Sequence, residues 1–402
     1  MPTVGDSLKK EITIMLTMLS LGHFITHIVL GAVPVLFPII REELSLSYTQ
    51  IGILGTISSV LAGFSNYMTG YISDRKGEEK IIALGLTILG VAAIVTSQIR
   101  NFVEFIITRL IEGLGGGFWH PPVSAYVSKK VERRQLGSAL SIEGAFGIIG
   151  SAVSPLLVVP LAIIYNWRIS LLLIGAFSVF ISFVIGFVLT REMIKSYTPT
   201  ENSDFNVHRA NNHTEKPRKF SFKLFVIIMI FLIINRTFTF RTITYFTSLF
   251  LKDIAGYTPE MAGLLSAVVL GMGGVGALVG GRITDKFGSL RTIIFSTFSA
   301  SMFFGSIYFL IQIDFLFMLS IVTFLFFIGM PGVESYVMKM SDIKKRGETY
   351  GLIFSVGPIV GSFAPVIIGV VADSIGLIYV FAINSLLLLA GVILALFLPR
   401  DA

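Results

Sequence analysis

Twelve apolar stretches follow one another along the sequence, at about 12–40, 50–72, 80–98, 102–126, 137–165, 168–190, 223–251, 258–283, 290–311, 315–340, 347–374 and 376–398. Each is close to or above the roughly 20 apolar residues that cross about 30 Å of hydrocarbon. Soluble cores stop growing near about 250–300 residues. This chain of 402 residues carries only 14% charged residues, against roughly a quarter in soluble domains. Its exterior therefore suits lipid. In a bilayer every backbone N–H and C=O has to be satisfied within the protein, so the stretches are expected to be helices. The predicted fold is an all-α polytopic membrane protein of twelve transmembrane helices.

The net charge of +7 does not point to nucleic acid, because nearly all the basic residues lie between the apolar stretches. With the N-terminus inside the cell, Lys9, Lys10, Arg75, Lys76, Lys129, Lys130, Arg133, Arg134, Lys344, Lys345 and Arg346 fall in or beside inner loops, and Arg41, Arg100, Arg168 and Lys252 in outer ones. The excess of inner positive charge places both termini in the cytoplasm of a multi-pass plasma-membrane protein. The first stretch, running through Ile40, is too long for the apolar core of a signal peptide. There is no cysteine, which excludes disulfides, thiolate metal sites and cysteine nucleophiles.

The polar run from about Arg191 to Ser221 has almost no apolar periodicity and reads as a linker, not a small folded domain. The expected organisation is an N-terminal six-helix bundle over 1–190, a cytoplasmic linker over 191–222 and a C-terminal six-helix bundle over 223–402. An internal repeat supports this. Gly52, Gly70, Asp74, Arg75, Gly77 and Lys80 recur 211 positions later as Gly263, Gly281, Asp285, Lys286, Gly288 and Arg291. Pro121, Tyr126, Val127, Lys129, Gly137, Gly147 and Pro155 recur at a spacing of 210 as Pro331, Tyr336, Val337, Lys339, Gly347, Gly357 and Pro365. Parallel six-helix halves form a transporter architecture, with the substrate site where they meet near the bilayer midplane.

GYISDRKG at Gly70 and GRITDKFG at Gly281 follow the second and eighth stretches. A glycine there permits close helix approach, and a carboxylate at a helix end can cap the positive N-terminus of a helix from the opposite half. The first copy continues with Glu78 and Glu79. In the fourth stretch Arg109, Glu112, Gly113, Gly116 and His120 fall on one helix face. An ionised group in a span costs about 2.5–3.5 kcal/mol on insertion scales, so this face has to meet water, a partner charge or substrate. Arg109 and Glu112 can also simply pair with each other, and His120-Pro121-Pro122 can simply kink the helix. His120 and Glu143 of the fifth stretch lie at similar depth on consecutive helices and are expected to be neighbours, a coupled pair fit to relay protons. Polar stripes also mark the first helix of each half: His23, Thr26 and His27 in one, Thr237, Arg241, Thr244 and Ser248 in the other. Both read as substrate-facing, with Asn66 and Tyr67 joining the wall. Arg236 lies about 100° round from Thr237 and can face a helix neighbour instead. His23 and His27 could ligate a metal, but the sequence shows no third ligand, and no metal or cofactor is expected.

The two Gly-x-x-x-Asp-[Arg/Lys]-x-Gly loops resemble the signature loop of the major facilitator superfamily, and Arg-Leu-Ile-Glu-Gly-Leu-Gly at Arg109 resembles its fourth-helix motif. The resemblance implies that Gly70, Asp74, Arg75, Gly281, Asp285 and Lys286 form gates. Asp74 would face the start of helix eleven and Asp285 the start of helix five, closing the cytoplasmic side. It also implies that Arg109, with Glu112, His120 and Glu143, couples transport to protons. Glu143, Gly147, Gly150, Ser154 and Pro155 partly resemble the antiporter motif of drug exporters. The stretch LGHFITHIVLGAVPVLFPII, FWHPP at Phe118 and NRTF at Asn235 are similar to the fosmidomycin-resistance branch of exporters. That likeness implies proton-coupled efflux of small anionic or amphiphilic compounds by a functional monomer, with Arg236 as its helix-seven arginine. Uptake of an organic anion by symport or uniport is the alternative reading, and a non-transporting sensor or membrane-embedded enzyme a third. Against an enzyme stands the lack of a nucleophile with its base or a phosphate-binding loop.

Overall fold

The computed structural model describes residues 4–131, 133–195, 221–307, 309, 314–341 and 346–399, with the side chains of 4–10, 74, 76, 133–134, 137, 192–195, 346–351 and 354–355 outside the description. These residues form fifteen helices. The first three spans are α1 (Val4–Glu43), α2 (Tyr48–Lys76) and α3 (Glu78–Thr96). The fourth is broken into α4 (Phe102–Gly116) and α5 (His120–Lys130), and α6 (Arg133–Ile164) and α7 (Trp167–Lys195) complete the first half. The second half runs through α8 (Phe222–Asp253), α9 (Pro259–Phe287) and α10 (Ser289–Ile307). Its last spans are the broken pairs α11 (Phe315–Ile328) with α12 (Met330–Met340) and α13 (Arg346–Gly361) with α14 (Ala364–Ser374), then α15 (Tyr379–Ala395). Ten segments are long and apolar enough to cross a membrane, and α15 is a shorter apolar helix. The α4–α5 pair, which carries Arg109 and Glu112, is the twelfth span. Most of the expected linker at 191–222 lies outside the described residues.

The sequence reading treats the fourth, tenth and eleventh spans as continuous, and the structure breaks each beside a proline. Proline lacks an N–H and strands the carbonyl four residues earlier. In lipid that carbonyl has to find another donor. Pro121 strands the Gly117 carbonyl, which accepts from the Thr69 hydroxyl of α2 at 2.8 Å, while Ser65, one turn earlier, donates to Leu114 at 3.0 Å. Pro38 strands Pro34 in α1, whose carbonyl accepts from Ser248 of α8 at 2.7 Å. At both prolines a hydroxyl from a neighbouring helix takes the place of the lost N–H.

Packing repeats between the halves. In the first, α1 packs on α6, α2 on α4 and α3 on α7; in the second, α8 packs on α13, α9 on α11 and α10 on α15. The halves meet through two equivalent contacts, α2 with α14 and α6 with α9. Even a polar contact beside the turns after α2 and α9 is repeated, since Lys129 reaches Glu78 and its counterpart Lys339 reaches Ser289. The loop glycines Gly77 and Gly288 both adopt φ of 91°, a left-handed conformation open to glycine without strain, and so turn each helix directly into the next.

Three apolar cores show how the halves sit. One, at the end away from the termini, mixes Leu36, Phe37 and Ile51 with Phe246, Phe250 and Phe381. The other two, toward the termini, are each confined to one half, around Trp119 and Tyr126 or around Tyr336 and Ile353. The halves are therefore fused at one end and parted at the other. Glycines record the same gradient. A Cβ at Gly52 would collide with the Pro365 carbonyl and one at Gly369 with the Tyr48 carbonyl, whereas nothing lies within 4 Å of one at Gly144 or Gly281.

Candidate functional site

The first helix of each half is well covered by its neighbours, α1 over 72% of its most apolar stretch and α8 over 50%. Through their middles, α1 leaves Leu21, Phe24, His27, Leu30 and Gly31 half-exposed, and α8 leaves Ile230, Phe231, Ile234, Thr237, Phe240, Arg241 and Thr244. Each set is one narrow stripe. A lipid-facing helix looks different: α7 leaves Phe177, Phe180, Phe183 and Phe187 at least half exposed, and its most apolar stretch is 28% buried against 72% for α1. The α1 and α8 stripes consequently line the aperture between the halves.

His27, Thr237, Arg241 and Thr244 are half-exposed on these stripes. Arg241 is half-buried, and its Nε has no hydrogen-bond partner among the described residues. Tyr67 is 83% exposed and Asn66 half-buried on α2. His23, Thr26, Ser248 and Arg236 differ from the substrate-facing expectation, being buried at 4%, 2%, 3% and 5% exposure. Residues three or four apart share a broad helix face, but only a narrow strip of it is free once neighbouring helices pack. Arg236 donates to the Phe326 carbonyl at 2.8 Å and to Thr297 at 3.3 Å. Its cation sits at the negative C-terminal end of α11, where the tenth span breaks, and complements that helix dipole.

Arg109, Glu112, His120 and Glu143, the expected coupling residues of the first half, fall into two clusters. In one, Arg109 pairs with Glu112 at 2.5 Å, and Glu112 also accepts from Ser58 of α2 at 2.9 Å. Arg109 is fully buried beside Phe105. His120 does not continue this face, because the break at Gly117 to Trp119 restarts the helix in a new register. It belongs to the second cluster. There the His23 Nδ1 lies 2.8 Å from the Glu143 Oε1, the Trp119 Nε1 donates to that same oxygen at 2.9 Å, and His27 Nδ1 lies 2.7 Å from the Ser151 hydroxyl. The ring of His23 is 4.8 Å from His27 and 5.1 Å from His120. His120 and Glu143 thus belong to one cluster, with His23 as the group that touches both. Gly147 makes room for it, since a Cβ there would strike the His23 ring. Trp119 and Ser151 escaped the sequence reading, though Trp119 stood inside the quoted FWHPP.

Of the residues expected to form gates, Arg75 lies over the Tyr71 ring, and Asp285 and Lys286 are exposed. Gly70 and Gly281 make no close helix contact. The side chain of Asp74, and those at the starts of α6 and α13 that the two aspartates are expected to face, lie outside the description. Glu78 and Glu79 turn inward and are buried. Carboxylate capping across the halves does occur, but at the fused end. Asp373 of α14 accepts from the backbone N–H groups of Tyr48 and Thr49, at 3.0 and 2.7 Å, at the start of α2. Beside it Asp253 of α8 holds Arg41 at 3.2 Å and the Tyr48 hydroxyl at 2.8 Å. An apolar hollow of about 410 Å³ between α8 and α15, lined by Leu224, Ile227 and Phe397 among others, is remote from all of these groups.

Two six-helix halves around a polar aperture, fused at one end and parted at the other, define a polytopic membrane protein of the two-bundle transporter type. Residues 19–365 match the family model of the Major Facilitator Superfamily, and the chain belongs to that family. It is 27% identical to the "Probable L-galactonate transporter" of Escherichia coli K12 over 61% of this chain and 55% of that protein, so it spans about half the length of that relative. It is 23% identical to the "Probable sulfoacetate transporter SauU" of Cupriavidus necator over 95% and 93% of the two chains. Identity to the "Multidrug resistance protein MdtG" of Yersinia enterocolitica is 26% over 68% and 66%. The fold is similar to that of a bacterial homologue of the human lysosomal transporter Spinster, solved inward-facing and occupied, with a TM-score of 0.76, 14% identity and 96% of each chain covered.

Proposed function

We propose that this secondary transporter moves a small organic anion or amphiphile by alternating access, coupled to protons and directed outward, as a monomer in the plasma membrane. The observation that carries the anion is Arg241, a half-buried guanidinium on the aperture stripe of α8 between Thr237 and Thr244. A cation with free donors in a partly dry aperture favours a carboxylate, sulfonate or phosphonate. Two relatives whose names specify organic acids fit this reading. Efflux rests on the fosmidomycin-resistance resemblance and on the multidrug-resistance relative. Proton coupling rests on the second cluster, where His23, His27, His120 and Glu143 can exchange protons at one side of the aperture. With both termini cytoplasmic, the parted end faces the cytoplasm and the fused end is the outer gate.

The test is transport in liposomes containing an internal pH dye, with anionic and amphiphilic compounds screened under an imposed proton gradient. Outward-directed substrate movement linked to counter-movement of protons, lost in Arg241→Ala and uncoupled in Glu143→Gln, is the expected result. Proton movement in the same direction as substrate would instead establish symport uptake. Substrate flux without proton movement would remove the coupling role from the histidine cluster.

A further inference from the structure

We propose that His23, His27 and His120 form a binding site for a divalent transition-metal ion of the zinc type in the wall of the aperture. One ring nitrogen of each histidine lies within 4.8 Å of those of the other two. Three imidazoles around a tetrahedral zinc at about 2.05 Å stand about 3.4 Å apart, so each donor has to move inward by under about 1 Å. Rotation of the half-buried His27 and exposed His120 rings supplies this.

The surrounding contacts point to a ligand. Metal-binding histidines characteristically give their second nitrogen to a carboxylate, hydroxyl or carbonyl, which fixes the tautomer and aims the other nitrogen at the metal. His23 does this with the carboxylate of Glu143 and His27 with the hydroxyl of Ser151, both through Nδ1. In each, Nε2 is the ring nitrogen left for a metal, and that of His23 lies beside Gly147, where a Cβ would meet it. The Nε2 of His23 is buried and has no hydrogen-bond partner among the described residues. An unpartnered buried acceptor is costly, and a metal ion would satisfy it. Trp119 anchors the same carboxylate, whose negative charge offsets part of the charge of a dication. Three protein ligands leave a fourth position open toward the aperture, as in zinc sites that take water or an exchangeable ligand. The set is all imidazole, which suits zinc, copper or nickel over magnesium or calcium. No sequence spacing announces the site, because the third ligand arrives from a different span through the break at Pro121.

The test is calorimetric titration of the purified, tag-free protein in detergent with Zn²⁺, with Co²⁺ absorption as a second readout of imidazole coordination. One saturable Zn²⁺ per chain with proton release, weakened at least tenfold in His120→Ala and in His27→Ala, is expected. His120 is exposed, so its removal leaves the fold intact, as a monodisperse elution profile would show. The remaining histidines, His208 and His213, lie outside the described residues, and a double alanine variant there should bind as wild type. Absence of saturable binding, wild-type affinity in His120→Ala, or loss of binding in the His208/His213 variant would each overturn the site. Binding is read without transport, so failure here leaves the proposed transport activity standing, and the reverse.

Discussion

Replacing Asp373 by alanine should open the fused end of the molecule. Its carboxylate accepts two backbone N–H bonds from the first turn of α2, which belongs to the opposite half. Removing an N-cap side chain costs about 0.5–2 kcal/mol, and loss of a negative charge at a helix N-terminus adds about 0.3–1 kcal/mol. Ser47 remains as a cap for Gln50, and the site is partly solvated, so a loss of about 1–2 kcal/mol is the appropriate size. That loss falls on the closed state alone, because the two halves separate in the other. The closed population should therefore drop by a factor of about 5–30 relative to the open one. The chain has no cysteine, so spin labels can be placed cleanly at Tyr165→Cys and Ile375→Cys, both exposed at the fused end of opposite halves. Pulsed dipolar spectroscopy should show the long-distance population rising severalfold in Asp373→Ala. Asp373→Asn, which keeps an acceptor without the charge, should give a smaller shift. An unchanged distribution in a folded Asp373→Ala protein would refute the reasoning.

Bulk at the same end should act in the same direction. Gly52→Val would place a side chain against the Pro365 backbone and should shift the same label pair to long distances with little loss of melting temperature, since the open state has no such contact. Glu112→Ala would leave Arg109 buried without its counter-charge and should destabilise the protein by about 3–5 kcal/mol; Arg109→Met with Glu112→Leu should recover most of that in thermal melts. Thr69→Val removes the hydroxyl from the stranded Gly117 carbonyl and should lower stability by about 1–3 kcal/mol, also read by thermal melting, whereas Thr17→Val, whose hydroxyl serves only its own helix at an exposed site, should be nearly neutral.

The repeat made the scaffold legible, and departures from it hold the chemistry. Glycines and prolines kept at offsets of 210 and 211 are visible in sequence because backbone geometry permits few substitutes, and they recur in the structure as helix breaks, tight turns and close approaches. The cluster in the first half has no such counterpart. At the offset of 210, His120 corresponds to Met330 and Glu143 to Ile353. The same span break that in the first half delivers an imidazole to the aperture is filled in the second by Arg236 bonded to the Phe326 carbonyl. Helical phase could place His27 and Arg241 on a stripe, yet it could not separate them from His23 or Arg236. Those neighbours differ by a rotation of about 100°, and the helices packed around α1 and α8, chiefly α6 on one and α13 on the other, decide which side remains free. Phase arguments also presume an unbroken helix, so the face drawn from Arg109 through His120 fails at Gly117, and the third histidine arrives by a route that sequence spacing does not encode. The asymmetry has a physical consequence. Among the described residues, the cluster of histidines with a buried carboxylate lies in the first half, and the half-buried guanidinium of Arg241 lies in the second. On the proposed coupling, a change of charge in the first half's cluster would act on Arg241 through the field across the aperture and not by contact. Such coupling requires that the change of charge favour one of the open and closed states over the other.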